Sequence, residues 1–208
     1  MKFNLDEIID SMVDAIKEIP VNDLAYLFAT GKSELEFRNQ VALKWHRERS
    51  EDEIVIREWK RHDLVVLNNN RPSLVMEGKH WIHYDAVSPT KLAKGPKSLK
   101  EEMEKDIAKI RKTQKRNPQA IGLISTLLFT IDVSQKSDVE LSHLHIKYGD
   151  YHAQGIKKCG NAEELAGRGR SHLRELMQEY GSLKRRPIEV GKYFGMPVEA
   201  DLHLLQVE

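Results

Sequence analysis

The stretch that decides the fold runs from Arg61 to Lys79 and reads R-H-D-L-V-V-L-N-N-N-R-P-S-L-V-M-E-G-K. Two short runs rich in apolar and β-branched residues flank a polar N-N-N-R-P segment, a pattern typical of two strands joined by a tight loop. If Leu67 and Ser73 face each other, antiparallel pairing places Asp63 directly opposite Glu77. The sequence therefore predicts a β-hairpin with two neighbouring carboxylates.

These two carboxylates require a positive charge nearby. Directly opposed side chains have Cβ atoms about 4.5–5.5 Å apart, and like charges at that separation repel each other. Lys79 follows Glu77 by two residues, so its side chain projects from the same face of the strand about 6.6 Å further along. The hairpin is expected to present two acids and one amine to a single point.

This combination of groups suits metal-assisted phosphodiester hydrolysis. Mg²⁺ prefers carboxylate oxygens, keeps several water ligands and bridges to substrate phosphate. A bound cation polarises the phosphoryl group and lowers the pKa of a coordinated water, while a lysine orients that water or offsets charge in the transition state. We therefore expect Mg²⁺ as cofactor, with Mn²⁺ as a substitute.

The pattern Asp63…Glu77-Gly78-Lys79 resembles the PD-(D/E)xK nuclease superfamily, whose signature is an acid on one strand and E-x-K on the next. The resemblance covers residues 33–131 plus a final strand. It implies an α/β, restriction-endonuclease-like fold with a mixed central β-sheet flanked by helices. It also implies Mg²⁺-dependent endonuclease activity on DNA, with Asp63 and Glu77 as metal ligands and Lys79 assisting the attacking water.

Members of this superfamily often add a third acid from the first core helix. The helix predicted to begin at Ser33 offers Glu34 and Glu36. Glu34 shares a helical stripe with the apolar residues that face the sheet, such as Phe37, whereas Glu36 sits where a capping-box glutamate bonds back to the cap. Both are candidate metal ligands, and Glu34 is favoured. One departure from the family pattern is His62, which replaces the usual proline.

Two other functions remain open. An isolated E-x-K triplet occurs by chance in lysine-rich proteins, but here apolar residues alternate with both acids, as in core strands. The first alternative is a catalytically inactive nucleic-acid or protein binding module with the same fold. The second is a nuclease that acts on RNA.

The whole chain has the composition of a single soluble globular domain. It has 208 residues, of which 40% are hydrophobic and 31% charged, and we expect an N-terminal helical extension over 1–32 followed by a nuclease-like core over 33–208. The longest apolar run, 121–133, is too short to span a bilayer. With Cys159 as the only cysteine, no internal disulfide can form, which fits a cytoplasmic location. A monomer and a homodimer are both compatible with the sequence.

The net charge of +1 conceals an uneven distribution of basic residues. The candidate phosphate contacts are Lys97, Arg111, Lys112, Lys115, Arg116, Lys184, Arg185 and Arg186. A single lysine on a helix is more often part of an ordinary solvated face. Because 111–116 and 184–186 contain no acid, these two clusters are predicted to contact a nucleic-acid backbone, with DNA as the expected partner.

Hydrophobic periodicity and capping signals predict the order of the elements. The predicted elements are a helix over 5–18, a helix from Ser33, a strand over 54–57, the hairpin, an irregular substrate loop over 80–96, a helix from Ser98, a buried strand over 120–131, a short strand over 144–148, a helical region from Asn161 broken at Gly167 and Gly169, and a last strand over 198–207. Helix, three strands, helix, strand is the order of the restriction-endonuclease-like fold.

Overall fold

The structure is a computed structural model that describes residues 4–31, 33–87 and 99–208. Its first half contains α1 (Leu5–Lys17), α2 (Val21–Thr30), α3 (Ser33–Glu48), β1 (Glu53–Trp59), β2 (His62–Asn68), β3 (Arg71–Ile82), α4 (His83–Val87) and α5 (Leu99–Arg116). Its second half contains β4 (Ile121–Ile131), α6 (Asp138–Leu144), α7 (Gly149–Cys159), α8 (Ala162–Gln178), β5 (Gly181–Ile188), β6 (Lys192–Tyr193) and β7 (Met196–Val207).

The strands form one seven-stranded mixed sheet in the order β1-β2-β3-β4-β7-β5, with β6 paired to the start of β7. Strands β3 and β4 are parallel and are connected through α4 and α5, whereas the other neighbouring pairs are antiparallel. The predicted α/β class, with a mixed sheet flanked by helices, is confirmed.

Helices cover both faces of the sheet because the strands alternate between two apolar clusters. Leu64 and Leu123 belong to the cluster that includes α1, α2 and α3. Val65 and Ile124 belong to the cluster that includes α5 and the end of α8. A strand that is buried on both faces is apolar along nearly its whole length. Strands β2 and β4 have sequences of this kind. Every helix in the described parts of the chain is too short or too polar to cross a membrane.

The hairpin of β2 and β3 differs from the prediction at its tip. The turn has two residues, Asn69 and Asn70, and both have positive φ (48° and 61°), as a type I′ turn requires. Leu67 pairs with Pro72 and not with Ser73, but a bulge after Val66 restores the predicted register from Val66 to Leu64. The backbone alignment that leads to the two acids is therefore as expected.

Two predicted elements are wrong. No strand occupies 144–148, because α6 ends at Leu144 and α7 begins at Gly149. The break at Gly167 and Gly169 is also absent, since α8 runs unbroken through both. A Cβ at Gly169 would lie 2.8 Å from a ring carbon of His83, so glycine there allows α8 to pack closely against α4.

The predicted substrate loop over 80–96 is partly replaced by regular structure. Residues 80–82 extend β3, and α4 follows directly. The remainder of that loop, together with Ser98, lies outside the described residues. Helix α2, helix α7 and strand β5 occupy stretches for which the sequence yields no prediction.

Candidate active site

Glu77 is the most deeply buried acid of the predicted site. Its side chain is only 2% exposed, and its Oε1 lies 2.5 Å from Nδ1 of His62. Its Oε2 lies 2.5 Å from Nζ of Lys109 on α5, and that amine also donates to the backbone carbonyl of Arg61. Burial raises the pKa of Glu77 despite the opposing hydrogen bonds from His62 and Lys109. The carboxylate is thus held in place on α5's side of the sheet at an electrostatic cost.

Asp63 turns towards different partners. Its Oδ1 lies 2.7 Å from Nη1 of Arg38 on α3, and its Oδ2 accepts a 2.8 Å hydrogen bond from the backbone N–H of Gly78. The backbone register places Asp63 beside Glu77, as predicted, and the two charges interact. The cations paired with these acids are Arg38 and Lys109, whereas Lys79 pairs with Asp106.

Lys79 projects from the same face of β3 as Glu77, as predicted, and reaches α5. Its Nζ lies 2.6 Å from Oδ2 of Asp106. Burial lowers the pKa of Lys79, but the hydrogen bond and charge of Asp106 outweigh burial, so the pKa is raised. Lys79 is therefore held as an ammonium ion, which stabilises negative charge and does not accept a proton.

Glu34 and Glu36 occupy different surroundings. Burial raises the pKa of Glu34, and its charge interacts with Lys79, Asp63 and Arg38. Glu36 is half-buried and accepts a 2.8 Å hydrogen bond from Gln40. The structure brings Glu34 to the site and leaves Glu36 outside it.

The predicted capping role of Ser33 is wrong. Helix α3 begins at Ser33 itself, whose hydroxyl lies 2.9 Å from Nε2 of the buried His80. Ser33 therefore ties the start of α3 to β3, on the strand that carries Glu77 and Lys79. This contact fixes the start of α3 against β3, next to Glu34.

Four side chains of the site have no counterpart in the sequence predictions: Arg38, Asp106, Lys109 and Thr113. Thr113 continues the network, because its Oγ1 lies 2.7 Å from Nε2 of His62. Asp106, Lys109 and Thr113 recur at the three- and four-residue spacing of one helical face. That spacing is visible in the sequence, but the side of the sheet on which α5 packs is not.

The donor chemistry of Asp63 and Glu77 fits a hard divalent cation. Mg²⁺ takes carboxylate oxygens and needs only one or two of them, because it retains water ligands. Burial raises the pKa of Glu77 because the hydrogen bonds from His62 and Lys109 offset only part of the cost of burying the carboxylate charge. A divalent cation beside this carboxylate would offset more of that cost. Across the described ranges, no three His, Cys, Asp or Glu side chains converge as ligands of one ion. Arg38 and Lys109 supply the positive charge in this arrangement and would have to give way.

The basic residues predicted to bind nucleic acid separate into two environments. Lys112, Lys115 and Arg116 are exposed on α5, where Arg111 bonds the backbone carbonyl of Glu208 at 2.7 Å. The second cluster is paired with acids: Lys184 and Arg186 with Asp6, and Arg185 with Asp201. Lys97 lies outside the described residues. The cluster on α5 is the better placed for an external anion.

Comparisons of the chain with protein-family models, with curated proteins and with solved structures found no match in any of the three.

Proposed function

We propose that this protein is a Mg²⁺-dependent nuclease that hydrolyses DNA phosphodiester bonds, with a PD-(D/E)xK-type site on a restriction-endonuclease-like core. The observation that carries the proposal is the register of β2 and β3, which sets Asp63 beside Glu77, with Lys79 two residues further along β3 and with Glu34 near enough for its charge to interact with Asp63 and Lys79. The order α3, β1, β2, β3, α5, β4 supports it, since this is the element order expected for such a core.

In this proposal Asp63 and Glu77 hold the metal ion, and Glu34 provides a third carboxylate. The ion supplies Lewis-acid polarisation of the phosphoryl group and a water of lowered pKa. Glu34 would serve as a general base towards the attacking water, because burial raises its pKa and so makes it a stronger base than an ordinary glutamate. His62 positions Glu77 through the Nδ1 to Oε1 hydrogen bond.

Three cations are arranged to stabilise a phosphate. Lys79 is held as an ammonium by Asp106, so it offsets the charge that develops on the phosphoryl oxygens. Arg38 and Lys109 neutralise the acids in the metal-free protein. With a divalent cation at those acids, Arg38 and Lys109 would be available to contact phosphate oxygens of the substrate.

A cleavage assay tests this proposal. The protein is incubated with supercoiled plasmid, linear duplex, single-stranded DNA and RNA, each with Mg²⁺, with Mn²⁺ or with chelator. We expect cleavage of DNA that requires the divalent ion. Cleavage of RNA alone would replace DNA by RNA as the substrate, and cleavage in chelator would contradict the metal-dependent mechanism.

One observation favours a second function, a catalytically inactive nucleic-acid binding module. The carboxylates of Asp63, Glu77 and Asp106 each already lie within hydrogen-bonding distance of a protein cation. A site closed in this way is stable without metal. Binding of DNA without cleavage of any of the four substrates, at millimolar Mg²⁺ or Mn²⁺, would favour this function over the nuclease.

A further inference from the structure

A groove runs along the side of α5 that faces away from the candidate active site. It has a volume of about 480 Å³, and its lining includes Ile107, Ala108, Arg111, Lys112, Lys115 and Tyr180. We refer to it as the α5 groove. We propose that the α5 groove binds one unstacked nucleotide of a single nucleic-acid strand, with the base against Tyr180 and the phosphates against Lys112 and Lys115.

The charge of the groove calls for an anionic ligand. Lys112 and Lys115 are exposed, and among the described residues no carboxylate lies within 4 Å of either amine. Arg111 is held by two hydrogen bonds to the backbone carbonyl of Glu208, which fixes its guanidinium beside the two lysines. The acid in the lining, Glu104, accepts a 3.0 Å hydrogen bond from the Tyr180 hydroxyl. The groove therefore carries an excess of positive charge.

The apolar part of the groove selects a single strand over a duplex. The exposed Ala108 and the partly buried Tyr180 ring offer a surface for a flat apolar face. In a duplex the base faces are stacked inside, so that only sugars and phosphates reach such a surface. An unstacked base offers its π-face, and base–aromatic stacking is the usual source of affinity in single-strand binding. The hydrogen bond to Glu104 fixes the orientation of the Tyr180 ring before a ligand binds.

The position of the groove connects it to the candidate site. Lys109, which contacts Glu77, and Lys112, which lines the groove, are three residues apart on α5. Side chains at that spacing are neighbours, with Cβ atoms about 5–6 Å apart. A strand that leaves the scissile phosphate can cross α5 at this pair and enter the groove. This inference rests on the proposed function, because it assigns the groove to the substrate strand.

The test measures binding in chelator, where no metal-dependent cleavage can occur. Labelled 20-nucleotide single strands of DNA and RNA, the matching DNA duplex and poly-glutamate are titrated by fluorescence anisotropy. We expect wild-type protein to bind the single strand more tightly than the duplex. Tyr180→Leu should weaken single-strand binding about 5- to 150-fold, the range for loss of one stacked base, with little change for the duplex. Tyr180→Phe, which keeps the ring, should bind nearly as wild type does.

The lysines are tested by the salt dependence of binding. Lys112→Gln with Lys115→Gln should reduce the slope of log affinity against log salt for single strands by about 0.7 for each phosphate that the variant no longer neutralises. The matched control is Lys157→Gln with Lys158→Gln, two exposed lysines on α7, which should leave the slope unchanged.

The inference is overturned if Tyr180→Leu binds the single strand as wild type does, or if it weakens the duplex equally. It is also overturned if poly-glutamate competes with the same dependence on Tyr180, since the partner would then be an acidic protein. If the wild-type protein cleaves DNA but the groove variants bind the single strand as wild type does, only the inference about the groove is wrong. Groove-dependent binding without cleavage would remove the nuclease proposal and leave the groove as a binding site.

Discussion

Asp63 and Glu77 of the candidate site each lie against a cation, and the two cations come from different helices. Arg38 of α3 holds Asp63, and Lys109 of α5 holds Glu77. The repulsion expected from two acids on neighbouring strands is therefore offset by side chains distant in sequence. A divalent ion at these acids competes with two protein cations, so its apparent affinity depends on how easily Arg38 and Lys109 move.

At the residue scale, the pair Glu34 and Glu36 offers a matched comparison. Glu34→Gln removes a carboxylate whose charge interacts with Lys79 and Asp63, so we expect a fall in the cleavage rate of about 100-fold or more, in the range of a lost general base. Glu36→Gln alters a half-buried side chain that bonds Gln40, and it should change the rate less than about twofold. Single-turnover cleavage at saturating Mg²⁺ measures both. Equal rates for the two variants would exclude Glu34 from the mechanism.

A second prediction concerns the stability of the metal-free protein. Burial raises the pKa of Glu77, so the folded state binds a proton that the unfolded state has released, and stability falls as pH rises above the ordinary glutamate pKa. Glu77→Gln cannot ionise. In chelator, its melting temperature should exceed that of wild type at pH 8, and the difference should vanish below about pH 4.5. A variant that is less stable than wild type at pH 8 would show that the two cations more than compensate for burial.

At the scale of elements, the sequence predicts helices and strands well where a periodic apolar pattern is long. The bounds of α1, α5, β4 and β7 agree with the predictions to within two residues. Strand alternation and helical stripes are local properties of the sequence. They therefore suffice to select Asp63, the triplet Glu77-Gly78-Lys79 and Glu34 as candidates. Arg38, Asp106 and Lys109 cannot, because their roles depend on which side of the sheet each helix packs.

The basic cluster of β5 illustrates the same limit. Arg185 lies 2.5 Å from Oδ1 of the buried Asp201, so this residue belongs to an internal ion pair and not to a free surface. A run of basic residues forms a free basic surface only if its members are not paired with acids elsewhere in the chain, and the sequence alone does not show those pairings. Lys184 and Arg186 are likewise paired, with acids of α1 that precede them by more than 170 residues.

A prediction for β5 follows from the buried acid. Although burial raises the pKa of Asp201, its hydrogen bonds and nearby arginines lower it to about 2. The depressed pKa stabilises the folded state above the ordinary pKa of 3.8, by about 2 kcal/mol, and this contribution is lost as pH falls towards 2. Arg185→Met should lower the free energy of unfolding at pH 7 by about 1–2 kcal/mol, because Arg170 remains and Arg185 is partly exposed.

Urea unfolding at a series of pH values checks this prediction, and the loss caused by Arg185→Met should shrink below about pH 4. Lys184→Met, which removes a surface pair with Asp6, is the control and should cost less than about 1 kcal/mol. An equal loss in both variants would contradict the role given to Asp201. Neither variant should alter the salt dependence of DNA binding.

At the scale of the whole molecule, the first 32 residues contribute to the main core. Helix α1 buries six side chains and α2 four, all in the cluster that also contains Leu64 and Leu123. The sequence predicts the first of these helices but treats 1–32 as an extension, since nothing local shows that this region packs on the central sheet. Removal of α1 and α2 would expose the apolar residues on that side of the sheet to water.

Deletion of residues 1–32 should therefore abolish cooperative folding. The large buried apolar side chains of α1 and α2 each contribute about 1.5–3 kcal/mol, so together they match or exceed the stability of a typical domain, about 5–15 kcal/mol. Thermal unfolding followed by circular dichroism measures the effect. A truncated protein that melts cooperatively near the wild-type temperature would show that 33–208 folds by itself.

We propose that Asp63, Glu77 and Lys79 form a metal-dependent phosphodiesterase site. The most direct measurement is single-turnover cleavage of a labelled DNA duplex and of its single strand by wild type, Glu77→Gln and Lys79→Met, with Mg²⁺ and with chelator. We expect cleavage by wild type with Mg²⁺ only, and a loss of at least about 1,000-fold in both variants, which still unfold cooperatively. Cleavage by Glu77→Gln at the wild-type rate would contradict it.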